Sequence, residues 1–327
     1  MTGGSERQMW KHGIKKLLQT LFDVAILLFG VTFLSFSLMH LAPGDPAVTI
    51  LRAGGAMPTE QDIIAKRAEM GLDRPFLEQY GSWLSGFVQG DLGVSMVDGK
   101  NVTPRIMNAL KNSLLLAAVS LAAGIAVALP VGVLAAVKKD RAFDKLTCTL
   151  AFIRLAMPSF LVGLGLLYVF AYKLKLISVM SSTAGAAGII LPVVTLATGI
   201  CARMVRQIRA TFSAELREPY VNGLRSKGVG ELRILFRHVL KNTMLPIMTL
   251  IALSFGELIG GTAVVETIFS WPGLGRLALN AINERDYTII QGFVVTTSLI
   301  FCLLYGLTEL SYSFFDPRVK KAKGRTT

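Results

Sequence analysis

Few side chains in this sequence have the type and spacing that chemistry at a bound substrate requires. The three histidines, His12, His40 and His238, lie far apart, and none is paired with a serine or cysteine in a hydrolytic pattern. The three cysteines, Cys148, Cys201 and Cys302, sit singly inside apolar runs, with neither metal-ligand spacing nor an even-numbered disulfide pattern. No His-Glu-x-x-His, no Gly-x-Ser-x-Gly and no glycine-rich phosphate loop ending in Gly-Lys-Ser/Thr occurs. An enzyme carrying its own ATPase site, a zinc peptidase and a serine hydrolase are therefore excluded. No metal site is expected. His40, at the end of the first apolar run, is the histidine best placed to touch a metal complex.

Two ionisable residues fall inside long apolar runs, Arg154 and Glu257. A charge near a bilayer centre costs several kcal/mol unless it is paired or wet, so such residues mark a pathway or an ion pair. Glu257 either lines a translocation path, passing a cationic or amine-bearing substrate, or fixes helix register by pairing with Arg154 or with another subunit. Met157 and Ser159 flank Pro158, and Ser254 lies one turn before Glu257; all three are candidates for the same path.

The most informative stretch runs from Glu215 to Pro246. Tyr220, Val221 and Leu224 recur at helical spacing, as do Leu232, Leu235, Val239 and Leu240 after a break at Gly228-Val229-Gly230. Arg225, Lys227, Arg233, Arg237 and Lys241 fill other positions. The pattern predicts two short amphipathic helices about a glycine hinge, lying beside a membrane. Their apolar faces need cover, from the membrane surface or from another protein.

Apolar residues make up 52% of the 327 and charged residues only 17%; a soluble domain carries about a quarter charged residues. The fold expected is an all-α polytopic membrane protein with six transmembrane helices. A basic tail, 1–16, precedes a first span at 17–41, longer than a signal-peptide core and long enough to cross the hydrocarbon. Ala42-Pro-Gly-Asp-Pro46 ends it. Residues 42–107 form a polar cap, with short helices at 62–70 and 76–88, the second striped by Tyr80, Trp83 and Phe87. The core, 108–314, holds spans near 112–137, 147–172, 188–209, 243–265 and 289–313, with Pro130 and Pro158 inside the first two. A polar turn with Ser181, Ser182 and Gly185 precedes the 188–209 span. A basic tail, 315–327, follows.

Charge placement orients the chain. The two tails, the 138–146 turn and the 203–241 stretch carry 22 Lys and Arg, against 10 in 42–107, 173–187 and 266–287. Positive charge stays in the cytoplasm, so both termini and the 211–242 loop between spans four and five are placed inside, and the cap and the 266–287 loop outside. The net charge of +13 is accounted for by topology, without nucleic acid.

Several motifs, in order, carry a family likeness: Leu41-Ala-Pro-Gly-Asp-Pro46, Gly71-Leu-Asp-Arg-Pro75, Gly90-Asp-Leu-Gly93, Tyr220-Val-Asn-Gly-Leu-Arg-Ser-Lys-Gly228 with Arg237-His238, Glu266-Thr-Ile-Phe-Ser-Trp-Pro-Gly-Leu-Gly-Arg276, Arg285-Asp-Tyr287 and Asp316-Pro-Arg318. Over residues 17 to 320 the sequence resembles the permease subunits of ABC importers that take up peptides and nickel. Asn222-Gly223-Leu224 stands where that family favours a small, alanine-rich triplet.

The resemblance implies half of a pore in a multi-pass cell-membrane protein. It implies as partners a second permease, two cytoplasmic ATPase subunits that bind ATP and magnesium, and an extracytoplasmic binding protein. It also implies ATPase coupling through Tyr220, Asn222, Gly223, Leu224, Arg225, Lys227, Gly228, Arg237 and His238. Docking or gating outside falls to Glu266, Phe269, Pro272, Gly273, Gly275, Arg276 and Asp286. Gly256-Glu-Leu-Ile-Gly-Gly-Thr262 with the Glu-Thr-Ile-Phe-Ser-Trp that follows leans the expected substrate toward nickel or a metal chelate, with a dipeptide or oligopeptide as the alternative. From another class, an ion-coupled secondary transporter is the rival; it would show internal repeats and broken helices near the midplane, and no repeat is visible.

Overall fold

The structure, a computed structural model, describes residues 3–41, 45–53, 57–176 and 188–315. The 42–44 part of the first terminator, the polar turn with Ser181, Ser182 and Gly185, and the Asp316-Pro-Arg318 ending lie outside the described residues. The described chain is helical apart from turns and one isolated antiparallel bridge, Val94 to Asn101.

The chain divides into two compact units, residues Met1–Ala109 with Leu277–Gly306, and Leu110–Arg276 with Leu307–Thr327. In the first, α1 (Gly3–Leu41) is followed by α2 (Pro46–Ala53), α3 (Glu60–Glu69) and α4 (Phe76–Val88). The helix α1 begins 14 residues before the expected span, so the basic segment is wound as helix too. Thr59 caps α3 with a reciprocal box to Asp62. The aromatic stripe of α4 has its use in packing. Tyr80 is buried, with its ring 5.4 Å from Phe33 and 5.5 Å from Phe36 and its hydroxyl 2.9 Å from that of Thr32. Trp83 and Phe87 stack at 5.7 Å. α4 is thus packed on α1 by edge-to-face aromatic contacts.

The second unit holds most of α5 (Val102–Val137), then α6 (Ala142–Ala156), α7 (Ser159–Leu166, prolonged by a π-helical turn, Leu167–Lys173), α8 (Ile190–Glu215) and α9 (Pro219–Ser226). Then come α10 (Glu231–Arg233, prolonged by a π-helical turn, Ile234–Val239), α11 (Leu240–Gly261), α12 (Ala263–Ile268) and the start of α13 (Leu274–Glu284); α14 (Tyr287–Phe315), chiefly of the first unit, is the last helix described. The buried face of α8, including Ile200, Met204, Ile208 and Phe212, is its core. Glycine lets α5 come close to it: a methyl at Gly132 would sit 2.9 Å from Ile208, and one at Gly124 would sit 3.1 Å from Ile200.

Among the described residues, four helical segments are long and apolar enough to cross a membrane: Phe22–Leu41, Val102–Val137, Glu231–Gly261 and Tyr287–Leu304. A fifth is reached if α6 and the α7 segment count as one span, but they meet at 96°. The expected span at 147–172 is therefore broken at Pro158. Pro158 has no N–H to donate, and Met157 before it is extended. The expected 188–209 span is the 26-residue α8, which carries Arg203, Arg206 and Arg209 and is not among the four.

Candidate functional site

The hinge in the Glu215–Pro246 stretch is real backbone geometry. Gly228 has φ +76°, the left-handed region that glycine enters without steric cost. Proline at the first position starts α9, and Lys227 ends it. Across the turn, Arg225 grips Glu231, Nε to Oε1 at 2.7 Å and Nη2 to Oε2 at 3.2 Å, while its Nη1 donates to Asn222 at 3.3 Å. Glu231 was not among the sequence candidates. Its signal was an acidic residue in the first turn of a helix just past the hinge.

At the base, the Tyr220 hydroxyl donates to Glu215 at 2.7 Å, and Asn242 donates to the same carboxylate oxygen at 2.8 Å. One carboxylate thus ties the ends of α8, α9 and α11. Burial, reinforced by the Glu215 carboxylate, pushes the Tyr220 phenol up to about 12.

The apolar faces differ from the predicted stripe. Val221, Ile234 and Val239 are fully buried, whereas Leu232 is 74% and Phe236 62% exposed. The π-helical turn is the reason. It sets Ile234 and Val239, five residues apart, on one face, and so turns Leu232 away. Leu224 is half-buried against the core, Gly223 has open space around it, Arg225, Lys227 and Arg237 are exposed, and His238 is half-buried.

The α6–α7 bend is held by Arg154. Its guanidinium donates to the Met157 carbonyl at 3.1 Å, the Thr195 carbonyl at 3.0 Å, the Thr198 hydroxyl at 3.0 Å and the Ser159 hydroxyl at 3.5 Å. Gly199 makes room for it, since a methyl there would lie 3.1 Å from Nη2. An Arg154–Glu257 pair, one of the readings of these two charges, does not form. Glu257 is gripped instead by both terminal nitrogens of Arg203, with Nη2 to Oε1 at 3.0 Å. Ser254 is buried, while Met157 and Ser159 are exposed at the bend.

The 262–276 segment is built on Glu266, which is fully buried. Its Oε1 accepts from Ser113 at 2.6 Å and Thr262 at 2.8 Å, and its Oε2 from the Arg276 N–H at 2.9 Å. Ser113 in turn accepts from the Leu274 N–H, Asn112 donates to the Pro272 carbonyl, and Trp271 donates to the Asn112 carbonyl. A methyl at Gly273 would collide with the Glu266 carboxylate, and one at Gly275 would lie 2.6 Å from Ala263, so neither has space for a side chain. Phe269 is buried against Gly163. The Arg276 guanidinium donates to the Ser270 carbonyl at 2.6 Å. Asp286, in the other unit, is buried and accepts from the Ser95 hydroxyl and from the N–H of Met96 and Ile289.

His40 bonds Gln79 through Nε2 at 3.0 Å and packs on Phe36. Among the described residues no three His, Cys, Asp or Glu side chains gather to hold a metal.

Residues 128–321 match the family of the binding-protein-dependent transport system inner membrane component, and residues 13–117 match the N-terminal region of such membrane components. The chain belongs to this family. It is a multi-pass membrane protein and the permease subunit of an ABC importer.

The permease is 35% identical over 312 residues to the glutathione transport system permease protein GsiC of Escherichia coli (strain K12), covering 95% of this chain and 99% of the relative. The same figures hold for GsiC of Shigella flexneri serotype 5b. Among solved structures it is similar to inward-facing conformations of the MetNI methionine ABC transporter, with TM-score 0.55 at 15% identity over 64% of this chain and 96% of that chain. At that identity the likeness concerns the fold.

Proposed function

We propose that the permease forms half of the pore of an importer for glutathione or a related small peptide. It works with a second permease, two cytoplasmic ATPase subunits and an extracytoplasmic binding protein. Six spans place both tails and the 211–242 loop in the cytoplasm, and the 42–107 cap and the 266–287 loop outside, α8 being the fourth span. End-to-end similarity to glutathione permeases supports the substrate class.

The observation that carries the mechanism is continuity. From Glu231 to Gly261 the chain is one 31-residue helical segment that starts at the Gly228 hinge. Force applied by an ATPase to α9 and the exposed Leu232 and Phe236 passes through the Arg225–Glu231 clamp into a rod that is itself a span. ATP binding closes the ATPase pair, and its differential affinity for the two arrangements shifts the membrane helices from inward- to outward-facing. Tyr220, Asn222, Gly223, Leu224, Lys227, Arg237 and His238 shape the docking surface. Glu266, with Phe269, Pro272, Gly273, Gly275 and Arg276, holds the 262–276 segment in the form the binding protein meets; Asp286 is a separate docking candidate that anchors Ser95 and Met96.

A nickel or metal-chelate substrate is the second reading, supported by the likeness of Gly256–Thr262 and the segment after it to nickel-type permeases. Uptake by the complete system in proteoliposomes separates the two. ATP-dependent accumulation of labelled glutathione is expected; accumulation of nickel with no peptide uptake would establish the second reading.

A further inference from the structure

Three arginines of α8 border a cleft of about 500 Å³ that is walled by Leu155 of α6 and Leu250 of α11. Their charges are unevenly matched. Arg209 is paired with buried Asp144 at 2.6 and 2.8 Å, and Arg203 with Glu257. Arg206 has neither a carboxylate partner nor a hydrogen bond among the described residues. The cleft therefore carries one uncompensated positive charge, exposed at its wall and open to a charge-assisted hydrogen bond with an added anion. Gln207 at the rim supplies a neutral donor and acceptor.

The carboxylate of Glu257, for which the sequence offers either a role toward amines or an ion pair, is already neutralised by Arg203. Both partners of that pair are about half exposed, so a competing carboxylate can reach it.

The geometry points to a carboxylate-binding subsite in this cleft, in which Arg206 holds a carboxylate of the peptide substrate and Arg203 is shared between that carboxylate and Glu257. The planar fork of arginine suits a carboxylate better than the point charge of lysine, and sharing Arg203 keeps the ligand loosely held, as transit requires. The inference deepens the peptide reading above and rests on it for the identity of the ligand.

Cys148 lines the same cleft and serves as a native reporter. The test uses the assembled importer with Cys201 and Cys302 replaced by alanine, in phosphatidylcholine nanodiscs. Labelling of Cys148 by an anionic and a cationic methanethiosulfonate is compared, with S-methylglutathione as the probe ligand. The anionic-to-cationic rate ratio is expected to fall about tenfold in R206Q and to hold in R206K, as removal of one nearby charge requires. S-methylglutathione is expected to protect Cys148 in the parent, more weakly in R206K, and not in R206Q.

Equal protection in R206Q and the parent overturns the subsite. So does protection that arises without peptide when phosphatidylglycerol is added, since the occupant is then a lipid headgroup. Protein that imports glutathione at the same maximal rate with R206Q as without it also counts against the subsite while leaving the peptide reading intact. Arg206-dependent protection in a system that imports no peptide leaves the subsite standing and removes that reading.

Discussion

Arg225 and Glu231 face each other across Gly228 and close the hinge with two hydrogen bonds, 2.7 and 3.2 Å long, leaving both side chains largely open to solvent. An exposed pair of this kind contributes only about 0.2–1 kcal/mol to stability. In the proposed coupling, the pair makes the α9 helix and the Glu231–Gly261 rod move together. Glu231→Gln is therefore expected to lower transport per ATP hydrolysed severalfold while leaving the thermal midpoint of the purified complex nearly unchanged. Parallel uptake and phosphate-release measurements check this; unchanged stoichiometry would detach the clamp from coupling.

Gly228 separates backbone strain from docking. A methyl group there meets nothing within 4 Å, so Gly228→Ala carries only the left-handed backbone penalty of roughly 1–2 kcal/mol. A bulky acidic residue adds charge and volume on the proposed ATPase-docking surface. Gly228→Glu is expected to uncouple ATP hydrolysis from uptake, and Gly228→Ala to retain most of it. Full transport by Gly228→Glu at normal protein levels is the result that sinks the hinge.

Glu266 is a buried carboxylate satisfied by two hydroxyls and an N–H, with no cationic partner among the described residues. Its removal strands three donors, and Glu266→Ala is expected to cost about 2–4 kcal/mol. Gly273→Ala, which drives a methyl into the same carboxylate, is expected to destabilise through the same contact. The double variant should then be less damaged than the sum of the two, which thermal unfolding in detergent measures directly. Strict additivity would mean that the two residues do not act on one contact.

Local pattern carried much of this into the sequence. The aromatic spacing of Tyr80, Trp83 and Phe87 placed α4, and the glycines at 228 and 230 placed the hinge, because both signals lie within a few residues of their consequence. What stayed hidden depends on residues far apart in the chain. Arg203 and Glu257 are separated by 54 positions, so nothing local shows that Arg203, and not Arg154, neutralises Glu257. The π-helical turn at Ile234–Val239 changes which residues share a face, and periodicity at 3.6 residues cannot anticipate it. Pro158 was visible in its span, but the 96° bend rests on carbonyls of Met157 and Thr195 reached by Arg154. The Glu266 network was legible only as a motif; its donor Ser113 lies 153 positions away.

The central claim is that this permease moves a peptide by motion delivered through the 215–246 stretch from a separate ATPase. The most direct measurement is uptake of labelled glutathione into proteoliposomes holding the permease, its partner permease and the ATPase subunits, with and without ATP and binding protein. The account predicts accumulation that requires both and that collapses with Gly228→Glu while ATP is still hydrolysed. Accumulation by this chain alone, without ATP and driven by an ion gradient, would contradict it and establish a secondary transporter.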